Sequence, residues 1–390
     1  YVDVLGCKLG NGETDKWIDV DFWGNELTLH KTDMKLPNER HDVDMGNVAV
    51  PHFGVHLDKN IFEVYTMRFS NNNYELIPGV SIFNCFKPYK ISIPISMILG
   101  LIRCDIAYFP KHLDTPNWLL KFARILRKPV FTTIEMNMCD RSKLNLIDNF
   151  GDVDKMKRHF DLIPYVYGIS KFIVYKSTCG VKLQKNPLYL GVENEDFIYK
   201  ERESLKDIVF IGSLIQRKNI EEFFKLAKKF PNLNFHVIGN KKYLKVSRKI
   251  NYIDDRENKT KKNIELEFLD NITLHGTLNR DNLPKLLRNM DLMFLPSRSE
   301  GFPKVILEAA ASGVPSIVYS DYGASEWIVN GKNGFVVNEF DEVINIVNKL
   351  IDNNHLLQSC SKSVVCLSQE FSWKNKIKFW EDEINNILND

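Results

Sequence analysis

Between Asp291 and Tyr319 the chain reads as a strand, a loop, a helix and a second strand. Asp291-Leu-Met-Phe-Leu-Pro296 and Ser316-Ile-Val-Tyr319 are short apolar runs of strand length. The stretch between them carries helix signals at both ends. Pro303 stands where a first helical residue would, and its missing N–H costs nothing there. Gly313 ends the helix and Pro315 prevents its resumption. Strands that alternate with helices make a parallel sheet with helices on its faces, so this unit calls for an α/β architecture. It also sets Glu300 in the loop and Glu308 about a turn and a half inside the helix. The free N–H groups of such a helix start, with the helix dipole, suit a phosphate. The local stretch supports two readings: an anion site with a carboxylate at each end, or a surface loop and helix with two solvated glutamates.

The alternation continues on both sides. Asp105-Ile-Ala-Tyr-Phe109, Pro129-Val-Phe-Thr-Thr-Ile134 and Tyr165-Val-Tyr-Gly-Ile169 read as buried strands, and 118–128 as an amphipathic helix. Ser170 is placed to cap a helix from Lys171. Residues 1–60 are rich in Asp, Asn and Gly and support no assignment. The stretch 186–206, with Pro187, Gly191 and mixed charges, resembles a linker. A second series has strands at 207–212, 234–239 and 272–276, and a short helix at 282–288. Its first helix starts at Asn219 with Glu222 in a capping-box arrangement, and 241–267 reads as a solvated charged insertion. A last helix over 372–388 aligns Trp373, Ile377, Trp380 and Ile384 on one face. The expected architecture is α/β, two doubly wound Rossmann-like domains, 1–195 and 196–372, with 373–390 as a terminal helix. Ligands of such sheets bind outside the carboxyl ends of the strands, where the Gly212 and Glu300 loops lie.

Composition narrows the class. At 390 residues the chain exceeds the usual reach of one core. A net charge of +2 gives no argument for a nucleic-acid partner. The seven cysteines form no C-x-x-C pair, so neither a zinc site nor a disulfide framework is expected. A reducing, cytoplasmic setting is the simplest reading, and no signal peptide is visible. The apolar run Ile91–Ile102 is too short to span a bilayer, which takes about 20 residues, and is expected to be buried.

The motifs of the second half resemble those of family 4 retaining glycosyltransferases, which have the two-domain GT-B fold. Ser170, then Leu190-Gly191-Val192 and Phe197, is similar to the family's passage into the second domain. Gly212 to Lys218 is similar to its phosphate loop, and His275-Gly276 to its strand-end glycine. Ser297, Glu300-Gly301-Phe302-Pro303 and Glu308 make its E-x7-E signature, followed by Gly313-Val-Pro315 and Gly323-Ala-Ser-Glu326. The resemblance covers about 165–340 and implies transfer of a sugar from a UDP- or GDP-sugar to a glycan or lipid-linked acceptor, with no cofactor or metal. Glu308 would accept from ribose hydroxyls, being an acceptor-only carboxylate. Glu300 would bind the sugar or stabilise positive charge at its anomeric carbon. Backbone N–H groups around Gly301, Phe302 and Pro303 would hold the diphosphate, with Lys218 as a point charge and Gly212, Ser213 and Gly276 among the nucleotide-binding positions. The resemblance also implies that the terminal helix crosses back to the first domain.

This chain departs from the pattern twice. Ser213 stands where the family has an arginine, and Arg217 beside Lys218 is the candidate substitute. Glu135 stands where a histidine normally faces the sugar; it would serve as an acceptor or base, or is structural. The pairs Asp19/Asp21, Asp42/Asp44 and Asp152/Asp154 follow no clear buried strand, so no metal role is assigned to them. His159, His236 and His275 show no metal or triad spacing, and His236 reads as a core strand residue. The basic helix at 118–128 packs on its sheet or rests on an anionic membrane surface. Two alternatives stay open: a non-catalytic glycan- or nucleotide-binding protein, and a glycoside hydrolase.

Overall fold

The computed structural model describes residues 88–110, 115–140, 146–177, 179–239 and 269–390, and elsewhere the backbone of seven strands. The chain divides into two compact units, Tyr1–Val48 and Ala49–Asp390. The first holds an antiparallel sheet of β1 (Lys8–Glu13), β2 (Trp17–Asp21) and β3 (Glu26–His30). The second unit contains all the other elements, and the boundary expected at residue 195 falls inside it.

Its first half begins with β4 (Val64–Arg68) paired parallel to β5 (Val80–Asn84), then α1 (Tyr89–Arg103). Next come β6 (Ala107–Tyr108), α2 (Asn117–Ile125), β7 (Val130–Ile134), α3 (Leu146–Phe150), α4 (Val153–Phe160), β8 (Tyr165–Gly168) and α5 (Lys171–Lys176). β6-β7-β8 is a parallel sheet, and all five residues of β7 are buried, as a strand covered on both faces requires. Ser170 caps α5, its hydroxyl accepting from the Ile173 amide at 3.3 Å. Asp152 caps α4 in the same way, at 2.7 Å from the Lys155 amide. The run expected to be buried is α1, and it is turned partly outward: Ile91, Ile95, Leu99 and Ile102 are 38–57 % exposed while Ser92 and Ser96 are buried.

The second half contains β9 (Asp207–Ile211), α6 (Ile220–Lys229), β10 (Asn234–Ile238), β11 (Lys249–Asp254), β12 (Lys262–Glu267), β13 (Ile272–Gly276), α7 (Leu283–Leu287) and β14 (Leu292–Leu295). It closes with α8 (Lys304–Ala311), β15 (Ser316–Tyr319), β16 (Gly334–Val337), α9 (Phe340–Asp352), α10 (Asn354–Glu370) and α11 (Trp373–Asn389). Six strands form one parallel sheet in the order β13-β10-β9-β14-β15-β16. The chain winds one way from β9 and the other way from β14. The crevice between these two neighbours is therefore the switch point of a doubly wound sheet.

Several local expectations are corrected. The charged insertion contains an antiparallel ribbon, β11-β12. The stretch 186–206 is no free linker: the Arg202 guanidinium is buried and donates to the Arg288, Leu287 and Ser312 carbonyls. These are the open C-terminal carbonyls of α7 and α8, which need such donors. Asn219 adopts a left-handed φ of 53° and makes no side-chain cap. Glu222 instead accepts from Tyr319 and Arg298. Pro303 is the N-cap of α8, one position before the helix proper, and Gly313 ends it at φ 79°. Cys139 and Cys179 form a disulfide with Cα atoms 5.5 Å apart, so the cysteines do not argue for a reducing compartment.

The terminal helix α11 lies against the first-half sheet. Trp380 is buried with Phe131, Tyr167, Leu188, Ile384 and Ile387, and its indole N–H donates to the Tyr189 carbonyl at 2.8 Å. Where the chain returns, Val192 bridges Ser372, and a Cβ at Gly191 would overlap the Trp373 ring. Two crossings of the chain thus run side by side.

Candidate active site

The loops after β9 and β14 meet at the switch point. Gly212 follows β9 directly, its amide bonded to the Ile238 carbonyl at 3.0 Å. A Cβ at Gly239 would overlap the Gly212 carbonyl oxygen, so these strand ends approach as only glycine allows. Gly276, the last residue of β13, has φ 70° and accepts from the Gly239 amide at 3.0 Å. The short 3-10 turn Gln216–Lys218 then turns back toward the β14 loop. There the Lys218 ammonium pairs with Glu300, the side chains only 14 % and 8 % exposed.

Three contacts stitch the two loops together. The Arg217 carbonyl accepts from the Arg298 amide and the Ser297 hydroxyl, both at 3.3 Å. The Arg217 guanidinium donates to the Ser299 carbonyl at 3.3 Å. Ser297 is fully buried and also donates to the Ser299 carbonyl, so it braces the turn. Ser213 is exposed. The Phe302 side chain is buried against Trp327 and Phe371, with ring centroids at 5.1 and 5.3 Å. Its side chain belongs to the core, which leaves the backbone for any ligand. Beyond it, Pro303 caps α8, whose first N–H groups have no partner within the helix. Glu308 lies further along α8, partly buried; burial pushes its carboxyl above the usual range while Lys304 and Arg280 oppose the shift.

The first half forms the opposite wall. A Cβ at Gly301 would overlap the carbonyl oxygen of Glu135, the residue that follows β7. Glu135 therefore stands at the junction with the Glu300 loop, its side chain exposed. A cavity of about 730 Å³ opens here. Asn137, Cys139, Asp140, Phe172 and Lys176 line it from one side, and Ser299, Glu300, Asp321 and Tyr322 from the other. The structure thus brings together Gly212, Arg217, Lys218, Ser297, Glu300, Gly301 and Glu135.

Sequence reasoning missed what holds the walls together. The Glu326 carboxylate accepts from the Lys171 amide at 2.9 Å, the Phe172 amide at 3.2 Å and the Tyr189 hydroxyl. It joins the 323–326 turn to the start of α5. A Cβ at Gly323 would overlap Phe172, so the same turn packs tightly on that helix. The Gly323–Glu326 motif was visible, but its partners lie more than a hundred positions away. A second missed group brackets the site. Arg298 lies over the Tyr319 ring at 3.3 Å and pairs with Glu222 and Asp321 at 3.4 and 3.2 Å. A third lies on the β9 side: His236 bonds Asp207 at 2.9 Å and His275 at 3.0 Å. His236 is thus a linked, half-buried residue rather than a plain core one. Asp152 serves as a cap and Asp42/Asp44 lie outside the described residues. Among the described residues no group of three or more His, Cys, Asp or Glu is placed to hold a metal ion.

The comparisons with known proteins fit this geometry. Residues 191–364 match the model of the "Glycosyl transferases group 1" family. The second half of the chain is thus similar to this glycosyltransferase family, and the fold is of the GT-B type. It is 28 % identical over 208 residues to an uncharacterized glycosyltransferase of Methanocaldococcus jannaschii, covering 53 % of this chain and 55 % of that protein. It is 23 % identical over 418 residues to a poly(glycerol-phosphate) alpha-glucosyltransferase of Bacillus subtilis, covering 97 % of this chain and 57 % of that one. The chain spans about half the length of the curated relatives it matches. The crystal structure of Anabaena HepE in complex with UDP-glucose superposes with a TM-score of 0.58 at 15 % identity, covering 79 % of this chain and 86 % of that one.

Proposed function

We propose that the protein is a retaining glycosyltransferase that moves a sugar from a UDP- or GDP-sugar to a hydroxyl of a glycan or lipid-linked acceptor. The observation that carries this reading is the Lys218–Glu300 pair at the switch point, beside the capped start of α8. Transfer creates two charges, positive at the anomeric carbon and negative on the leaving diphosphate. Glu300 supplies a carboxylate for the first and Lys218 an ammonium for the second, in a site largely withdrawn from water. Backbone N–H groups at the start of α8 add to the phosphate side, so no metal is needed. Glu308 takes the ribose hydroxyls, and Glu135, on the opposite wall, faces the acceptor hydroxyl. HepE, crystallised with UDP-glucose, supports the donor class, and the alpha-glucosyltransferase name of the B. subtilis relative supports a retained anomeric configuration. The test is nucleoside diphosphate release from a panel of UDP- and GDP-sugars, with calorimetric titration of the same donors. A folded protein that binds none of them removes the proposal.

An acceptor carried on a lipid would bring the protein to a membrane surface. Among the described residues no helix is long and apolar enough to cross a membrane. The outward isoleucines of α1 and exposed Trp118 and Ile125 of α2 instead suit a peripheral contact. Residues 88–128 hold seven lysines and arginines against two aspartates, which complements anionic lipid. Co-sedimentation with phosphatidylglycerol vesicles should exceed that with phosphatidylcholine. Ile95→Asp with Leu99→Asp should abolish it without changing nucleotide binding; equal sedimentation of variant and parent would refute the contact.

A further inference from the structure

Tyr322 lies in the wall of the cavity. It ends the 3-10 turn Ser320–Tyr322 after β15, and the left-handed Gly323 that follows packs on Phe172 of the opposite wall. It belongs to the lining of the cavity that also holds Glu300. The residue is 1 % exposed. Its hydroxyl is buried and has no hydrogen-bond partner among the described residues. A buried polar group left unpaired lowers stability, and native structures keep few of them. Phenylalanine would fill the same volume without that cost. An orphaned hydroxyl in the wall of a site therefore points to a ligand.

We propose that Tyr322 is a donor-binding residue, its hydroxyl giving a hydrogen bond to an oxygen of the transferring sugar next to Glu300. The inference rests on the transferase reading above. Burial, with Glu300 and Asp321 close by, raises the phenol well above its ordinary pKa, so the group stays protonated at physiological pH. It can give a hydrogen bond, and it is not a base. A neutral donor beside a carboxylate suits a sugar hydroxyl, which accepts from one group and donates to the other.

The test is Tyr322→Phe in the full chain, with UDP, GDP, UDP-glucose and GDP-mannose as probes. Thermal unfolding should show a midpoint equal to or roughly 1–3 °C above the parent, because an unpaired hydroxyl has been removed. Affinity for the nucleotide-sugar that the parent binds should fall roughly threefold to tenfold, with UDP or GDP itself unchanged. A lowered midpoint would mean that the hydroxyl has an internal partner, and overturns the proposal. So does unchanged affinity for the nucleotide-sugar. Equal loss for the bare nucleotide would move the contact to the phosphates and overturn the assignment to the sugar. A parent that binds no nucleotide-sugar fails the transferase reading itself, an outcome distinct from the others.

Discussion

The two walls of the cleft are built by different means. On the β9/β14 side, the groups joined around Glu300 come from two loops that each follow a strand of one sheet. Lys218, Arg217, Ser297 and Glu300 reach one another across about eighty positions, yet each sits within a few residues of its own strand end. On the other side, Glu135, Phe172 and Lys176 follow different strands, and long-range contacts set their place opposite Glu300. Those contacts are the approach of Gly301 to Glu135, Gly323 on Phe172, and Glu326 on the start of α5. A wall of the first kind tolerates damage elsewhere in the molecule. A wall of the second kind depends on its junction. The difference predicts which substitutions change binding, which change turnover and which change both.

The largest effect should come from the pair on the first wall. Glu300→Gln keeps the shape but removes the charge, and turnover should fall roughly 100- to 1,000-fold, the range for loss of one transition-state charge contact. Nucleotide affinity measured by calorimetry should stay close to the parent. An equal loss in affinity would place Glu300 in ground-state binding and break the assignment. Glu308→Ala should do the opposite. Loss of a charged acceptor for the ribose should weaken nucleotide binding roughly tenfold or more. A parent-like dissociation constant would remove Glu308 from the site.

Glu326 tests the junction. Glu326→Ala leaves the Lys171 and Phe172 amides and the Tyr189 hydroxyl without their acceptor. Turnover should fall roughly tenfold, as a misplaced acceptor wall costs alignment. Nucleotide affinity should not change, because the amides and the hydroxyl that lose their acceptor all lie before β9, away from Lys218 and Glu308. Glu326→Gln, which keeps one acceptor oxygen, should recover part of the loss. If Glu326→Ala weakened the nucleotide as strongly as Glu308→Ala, the two walls would not be separable in the way proposed.

This contrast also explains what could be read from the sequence. Five of the six strands of the large sheet, the α8 start and the Glu300 loop were legible because each signal is local; β16 was not assigned. An apolar run of strand length, a proline at a helix start and a glycine at its end act within a few residues. The Glu326 clasp and the buried Arg202 were not legible, since their partners are set by the tertiary fold. The outward isoleucines of α1 were misread for a related reason: an apolar run with no clear period does not say which face is covered. Asn219 and Glu222 matched a capping box in spacing. Tyr319 and Arg298, distant in sequence, compete for the same carboxylate and win.

The smallest expected effect concerns the Asp207–His236–His275 cluster, which belongs to the second half alone. Burial, then the neighbouring His236, lowers the pKa of His275 below its ordinary value of 6.5. Above that value both folded and unfolded forms are neutral, and the contribution to stability is full. As pH falls through 6.5 the unfolded chain takes up the proton first, so stability is lost progressively toward the lower folded pKa. Urea unfolding at pH 7.5 and at pH 5.5 should show this loss, and His275→Gln should reduce it. The lobe junction contains no part of this cluster, so Glu326→Ala should leave the slope with pH unchanged. A slope that survives His275→Gln but vanishes with Glu326→Ala would place the titrating group at the junction, and the second half would then not be the self-contained wall described above.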